Sequence, residues 1–118
     1  MIRAAVIVAL LALSSACHDQ ASGGAGARAQ IKAVGSSTVY PFTTIAAEQY
    51  LANNPDARPP VIESTGTGAG MRLFCAGIGA AYPDIVNASR RMKRSEFEDC
   101  LRHGAKEILE VQIGIDGV

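Results

Sequence analysis

From Ile31 onward the chain alternates short β-like runs with helical ones, and no other feature constrains its fold as tightly. "IKAVG" reads as a strand ending in glycine. Pro41 then suits a first helical turn, and Phe42, Ile45, Ala46 and Tyr50 mark one face of a helix that stops at "NNP". "PPVIES" is a second strand, followed by the loop "TGTGAG" and the helical stretch "MRLFCAG". "DIVNAS" is a third strand. "SEFEDCLRHG" opens with Ser95 and Glu98 at capping-box spacing, carries Phe97, Cys100 and Leu101 on one face, and closes at Gly104. A final β-rich run, "EILEVQIGIDGV", supplies a fourth strand. Strands separated by helices pair in parallel, because parallel strands need crossovers, so the expected class is α/β with helices covering a parallel-rich sheet.

In such sheets ligands bind beyond the carboxyl ends of the strands, where loops enter helix N-termini. Three of these loops are unusual in composition. The first holds Ser36, Ser37 and Thr38, the second runs Thr65, Gly66, Thr67, Gly68, Ala69, Gly70, and the third holds Ser89, Arg90 and Arg91. Helix N-termini offer unpaired N–H groups and a positive dipole end, glycine admits a ligand to the backbone, short hydroxyls add donors, and arginine adds a planar charged fork. Any one loop is read as well by ordinary helix caps and turn glycines. Three at one end of one sheet favour an anion site. Of the basic run "RRMKR", Arg90 is expected to turn inward, with Arg91, Lys93 and Arg94 left in solvent.

Other chemistries are poorly served. "GTGAGM" lacks the lysine and spacing of a nucleotide P-loop and does not match GxGxxG. There is no G-x-S-x-G elbow, and His103, at the end of a helix, lies far in sequence from the three loops. Lys and Arg total 11 against 11 Asp and Glu, with three Phe, three Tyr and no Trp, which gives no nucleic-acid surface. No catalytic residue, cofactor or metal is expected.

The first thirty positions read differently from the rest. Residues 1–16 carry Arg3, the apolar run "AAVIVALLAL" and then Ser14, Ser15 and Ala16, the pattern of an export signal and too short for a membrane span. Two processing sites stay open: lipidation at Cys17, and cleavage after Ala29 in "ARA". Residues 17–30 form a flexible Gly/Ala/Ser linker in which His18 is inert. Export places Cys75 and Cys100 in an oxidising compartment, where they are expected to pair rather than to bind a metal for which further ligands are lacking.

The stretches "IKAVGSSTVYPF", "ESTGTGAGMRLFCAG", "DIVNASRRMKRSEFEDC" and "VQIGIDGV" resemble the phosphate-binding protein of bacterial phosphate ABC transporters, in the type II periplasmic binding protein superfamily. The resemblance covers nearly all of residues 31–118 and assigns them to the first of two lobes that close on a ligand, so a truncated form or fragment is expected. It implies inorganic phosphate bound by Ser37, Thr38 and the Val39 amide, by Thr67 at a serine position of the family, and by Ser89 and Arg90. Arg90 stands where the best-known members have an aspartate, which accepts a hydrogen bond from the proton of hydrogen phosphate and so rejects sulfate. The implied protein is a periplasmic or cell-envelope receptor, a monomer, lipid-anchored if Cys17 is modified, that delivers phosphate to an inner-membrane ABC permease without chemistry. Receptors for sulfate or molybdate, a secreted phosphate-ester enzyme, and a non-binding surface module are the competing readings.

Overall fold

The computed structural model describes residues 30–115 and 117. The export signal of residues 1–16, Cys17, His18 and the Ala29 cleavage site lie outside the described residues. Six elements follow in order: β1 (Lys32–Gly35), α1 (Tyr40–Asn53), β2 (Val61–Ser64), α2 (Thr67–Phe74), β3 (Ile85–Asn87) and α3 (Arg94–Arg102). The sheet runs β2-β1-β3 with both pairings parallel, Val34 standing opposite Glu63 on one side and Val86 on the other. This is the α/β class that the alternating runs predict.

β1 is central because it is the strand that can be buried on both faces: Ala33 and Val34 are fully enclosed, as a middle parallel strand requires. α2 supplies the other side of this small core through Gly70 and Met71. Cys75, just past the end of α2, and Cys100, within α3, are joined by a disulfide in the same buried layer. Pro41 sits in the first turn of α1, where its missing N–H costs nothing. Gly104, at φ 95°, follows the C-cap of α3 in the left-handed conformation that glycine tolerates.

Four sequence expectations are corrected. The run "EILEVQIGIDGV" forms no strand among the described residues, and Leu109 and Ile115 are 87% and 88% exposed. A strand is stable only with a paired neighbour, and no described residue of this segment joins either free edge of the sheet. The side of α1 marked by Phe42, Ile45, Ala46 and Tyr50 is exposed, Phe42 at 66%; the helix buries no residue fully, and its half-buried side is formed instead by Thr43, Thr44, Ala47 and Leu51. α2 begins at Thr67, so the last four residues of the "TGTGAG" loop are its first turn. α3 begins at Arg94, before Ser95, and the acidic residue that closes its N-terminus is Glu96, whose carboxylate accepts a hydrogen bond from the Lys93 amide at 2.8 Å. Glu98 instead pairs with Arg94 across one turn at 2.8 Å.

Candidate functional site

The parallel register brings the carboxyl ends of β1, β2 and β3 to one edge, and hydrogen bonds there tie the three loops to one another. The amides of Thr65 and Gly66 donate to the Gly35 carbonyl at 2.9 and 2.7 Å, joining the second loop to the first. The Ser36 amide donates to the Asn87 carbonyl at 2.9 Å, joining the first to the third. Thr67 and Ser89 join the second to the third: the Ser89 amide donates to Thr67 Oγ1 at 3.1 Å, and the two hydroxyls lie 3.1 Å apart.

The three consecutive hydroxyls of the first loop separate into two roles. Ser36 is buried; its carbonyl accepts from the Tyr40 amide, and its Oγ accepts from the Val39 amide at 3.4 Å, so it ends β1 and starts α1. Ser37 and Thr38 face solvent, and among the described residues no hydrogen bond engages their hydroxyls or amides. Val39, expected to offer its amide to a ligand, directs that N–H inward to Ser36.

The second loop offers backbone. The first amide of α2 with a helical partner is Gly70, which donates to the Gly66 carbonyl at 2.9 Å. The amides of Thr67, Gly68 and Ala69 precede it and have no acceptor among the described residues, as expected of a helix's first turn. Gly66, the N-cap, holds φ 79°, and a side chain there would enter open space. The site therefore combines exposed hydroxyls, free first-turn amides and the positive end of a helix dipole, which suits a small oxyanion. The sequence reading marks the loop as a whole as an anion site but singles out only Thr67 in it as a ligand, and the Gly68 and Ala69 amides add to that residue. Their signal was present in "TGTGAG", but it depends on where the helix begins.

Arg90 lies next in the chain to Ser89, and its guanidinium is held by Glu96. Nη2 donates to Glu96 Oε1 at 2.7 Å, Nη1 to Oε2 at 2.9 Å, and Nη1 also to the Arg91 carbonyl at 3.0 Å. Hydrogen bonding from Arg90, reinforced by the Lys93 amide, lowers the Glu96 carboxyl from its ordinary 4.5 to about 2, and the same pairing raises Arg90. Arg91 and Arg94 extend into water, as expected. No sequence periodicity links Arg90 to Glu96, six residues apart across the start of a helix, so this pair was missed. Among the described residues no three His, Cys, Asp or Glu side chains are grouped to hold a metal, and no helix is long and apolar enough to cross a membrane.

A depressed Glu96 has a direct consequence for stability against pH. Its stabilising contribution is complete above pH 4.5, where the unfolded carboxyl is ionised, and is lost as pH falls through about 2. Urea midpoints of the wild type and Glu96→Gln should thus differ most near neutrality and converge between pH 4.5 and 2. A constant difference across that window would contradict the pairing.

A parallel α/β unit with an amide-and-hydroxyl cradle at the strand ends is the architecture of a ligand-binding lobe. The chain belongs to the PBP superfamily, whose domain matches residues 20–118. It is 36% identical over 116 residues to Protein SphX of Synechococcus elongatus, covering 98% of this chain and 32% of that protein. Protein SphX of Synechocystis is 34% identical over 87 residues, which is 71% of this chain and 23% of its own length. The chain thus spans a third or less of the curated relatives it matches. The crystal structure of a possible phosphate binding protein from Planctomyces limnophilus superposes with a TM-score of 0.56 at 31% identity, over 64% of this chain and 25% of that one.

Proposed function

We propose that this chain is the first lobe of an exported receptor for inorganic phosphate. The observation that carries the reading is the Thr67–Ser89 bridge, which sets two hydroxyl-bearing loops side by side at the N-terminus of α2. In this reading a phosphate ion takes hydrogen bonds from Ser37 and Thr38, from Thr67 and the first-turn amides of α2, and from Ser89 and Arg90. The Val39 amide exchanges its long bond to Ser36 for an anion oxygen. Residues 1–16 act as the export signal, residues 17–30 as a tether with Cys17 as its lipidation site, and residues 31–118 as the lobe. The work of the protein is binding without chemistry, in the periplasm or cell envelope, followed by delivery to an ABC permease in the inner membrane.

Arg90 favours a second reading in which other tetrahedral oxyanions also bind. A guanidinium donates only, so unlike an acceptor carboxylate it does not select the protonated ion over sulfate. Isothermal titration of the full, oxidised chain with phosphate, and with sulfate in parallel, tests both readings. Saturable heat is expected with phosphate, and Thr67→Val should weaken it by at least about tenfold, the scale of a lost hydrogen bond to a charged ligand. Unchanged binding by Thr67→Val would remove this hydroxyl from the site. Equal competition by sulfate would establish the broader oxyanion reading.

A further inference from the structure

Of the five N–H bonds of the Arg90 guanidinium, three are committed: one on Nη2 and one on Nη1 to the two oxygens of Glu96, and the second on Nη1 to the Arg91 carbonyl. Glu96 therefore occupies the end of the fork between the two terminal nitrogens. The edge that remains consists of Nε–H and the outer N–H of Nη2, two parallel donors with no acceptor among the described residues. Such a pair matches two oxygens of one oxyanion. The backbone of Arg90 is fixed next to Ser89, which Thr67 holds against the start of α2. The Arg90 side chain is 35% exposed, against 87% for Arg91 and 92% for Arg94.

Glu96 is itself immobilised. It lies in the first turn of α3, its side chain is 18% exposed, and Oε2 also accepts from the Lys93 amide at 2.8 Å. A long arginine side chain otherwise samples many rotamers, and ordering it on binding weakens affinity. Here the hydrogen bonds to Glu96 and to the Arg91 carbonyl select the rotamer.

We infer that Glu96 is a positioning residue: it clamps the Nη1–Nη2 end of Arg90 so that the adjacent edge, Nε–H and the outer Nη2–H, is presented as a preorganised two-point donor to an oxyanion bound at the Thr67–Ser89 bridge. The inference rests on the oxyanion-receptor reading and adds to it a residue that never touches the ligand.

The test is a titration of the full chain with inorganic phosphate, followed by nitrogen-15 NMR of the arginine Nε–H signals, with the Arg90 peak assigned by its loss in Arg90→Gln. Glu96→Gln keeps a side-chain oxygen to accept from Lys93, and circular dichroism verifies its fold. In the wild type the Arg90 Nε–H peak should shift saturably with phosphate. Glu96→Gln should bind about tenfold more weakly, as expected when a charge-assisted clamp is removed. In an Arg90→Gln background the same Glu96 change should have no further effect, because a positioning residue acts only through what it positions. Phosphate binding without an Arg90 shift, unchanged or tighter binding by Glu96→Gln, or an undiminished Glu96 effect without Arg90 would each overturn the inference while leaving the receptor reading intact. Absence of phosphate binding by the wild type would overturn both.

Discussion

Gly70→Ala should destabilise the chain by about 3 kcal/mol, the upper range for forcing an added methyl into a packed site. A Cβ on Gly70 would lie 2.5 Å from the Gly35 Cα, 3.1 Å from the Gly35 nitrogen and 3.2 Å from Val86 Cγ2. Two of these atoms belong to the backbone of the central strand, so no rotamer change relieves the clash. Gly35 cannot yield either, since it holds φ 128° and its other side abuts the Asn87 carbonyl. α2 would have to lift from β1, and the loops at the strand ends would separate with it. Gly68→Ala, two residues earlier, meets only Arg72 Nη1 at 3.9 Å and should be neutral or stabilising by up to about 1 kcal/mol through helix propensity. Urea denaturation of the two variants should move the midpoint in opposite directions or leave that of Gly68→Ala unmoved. A Gly70→Ala midpoint equal to the wild type would refute the close approach.

Removing the disulfide should have an effect of similar size. Cys75 and Cys100 are 25 residues apart, and closing a loop of that length stabilises by about 3.5 kcal/mol in the chain-entropy model. Both cysteines are fully buried, in a core that otherwise contains little more than Ala33, Val34 and Met71. Small domains have a net stability of roughly 5–15 kcal/mol, so this cross-link is a large fraction of the total. The paired Cys75→Ala, Cys100→Ala variant is expected to show a much lower urea midpoint than the wild type. The wild type treated with reductant should move toward the same value, and a reduced wild type as stable as the oxidised one would contradict the prediction.

Local sequence carried much of this architecture. Gly35, Pro41, Pro59, Pro60 and Gly104 punctuate the chain where backbone chemistry demands it, so the strands, the helices and their parallel order could be read directly. The unusual loops could be found for the same reason, since strand order puts all three at one edge. The errors arose where an element's state depends on distant partners. Leu109, Val111, Ile113 and Ile115 alternate as a strand should, yet they remain exposed because no described strand pairs with them. Phe42 and Ile45 share a helical face without a surface to cover it.

At the site the division is sharper. The sequence alone determined which chemical groups are available: hydroxyls at 36–38, glycines at 66, 68 and 70, a serine and an arginine at 89 and 90. The tertiary structure decided which of them face outward. Ser36 turns into the core while Ser37 and Thr38 stay in solvent, and Thr67 meets Ser89 across 22 residues. Arg90 is paired with Glu96, six residues on in the chain. Composition and spacing fix propensity and local geometry, which act over a few residues. The orientation of a side chain and the partner of a charge are set by packing and hydrogen bonds between segments far apart in the chain, and these exist only once the sheet has assembled.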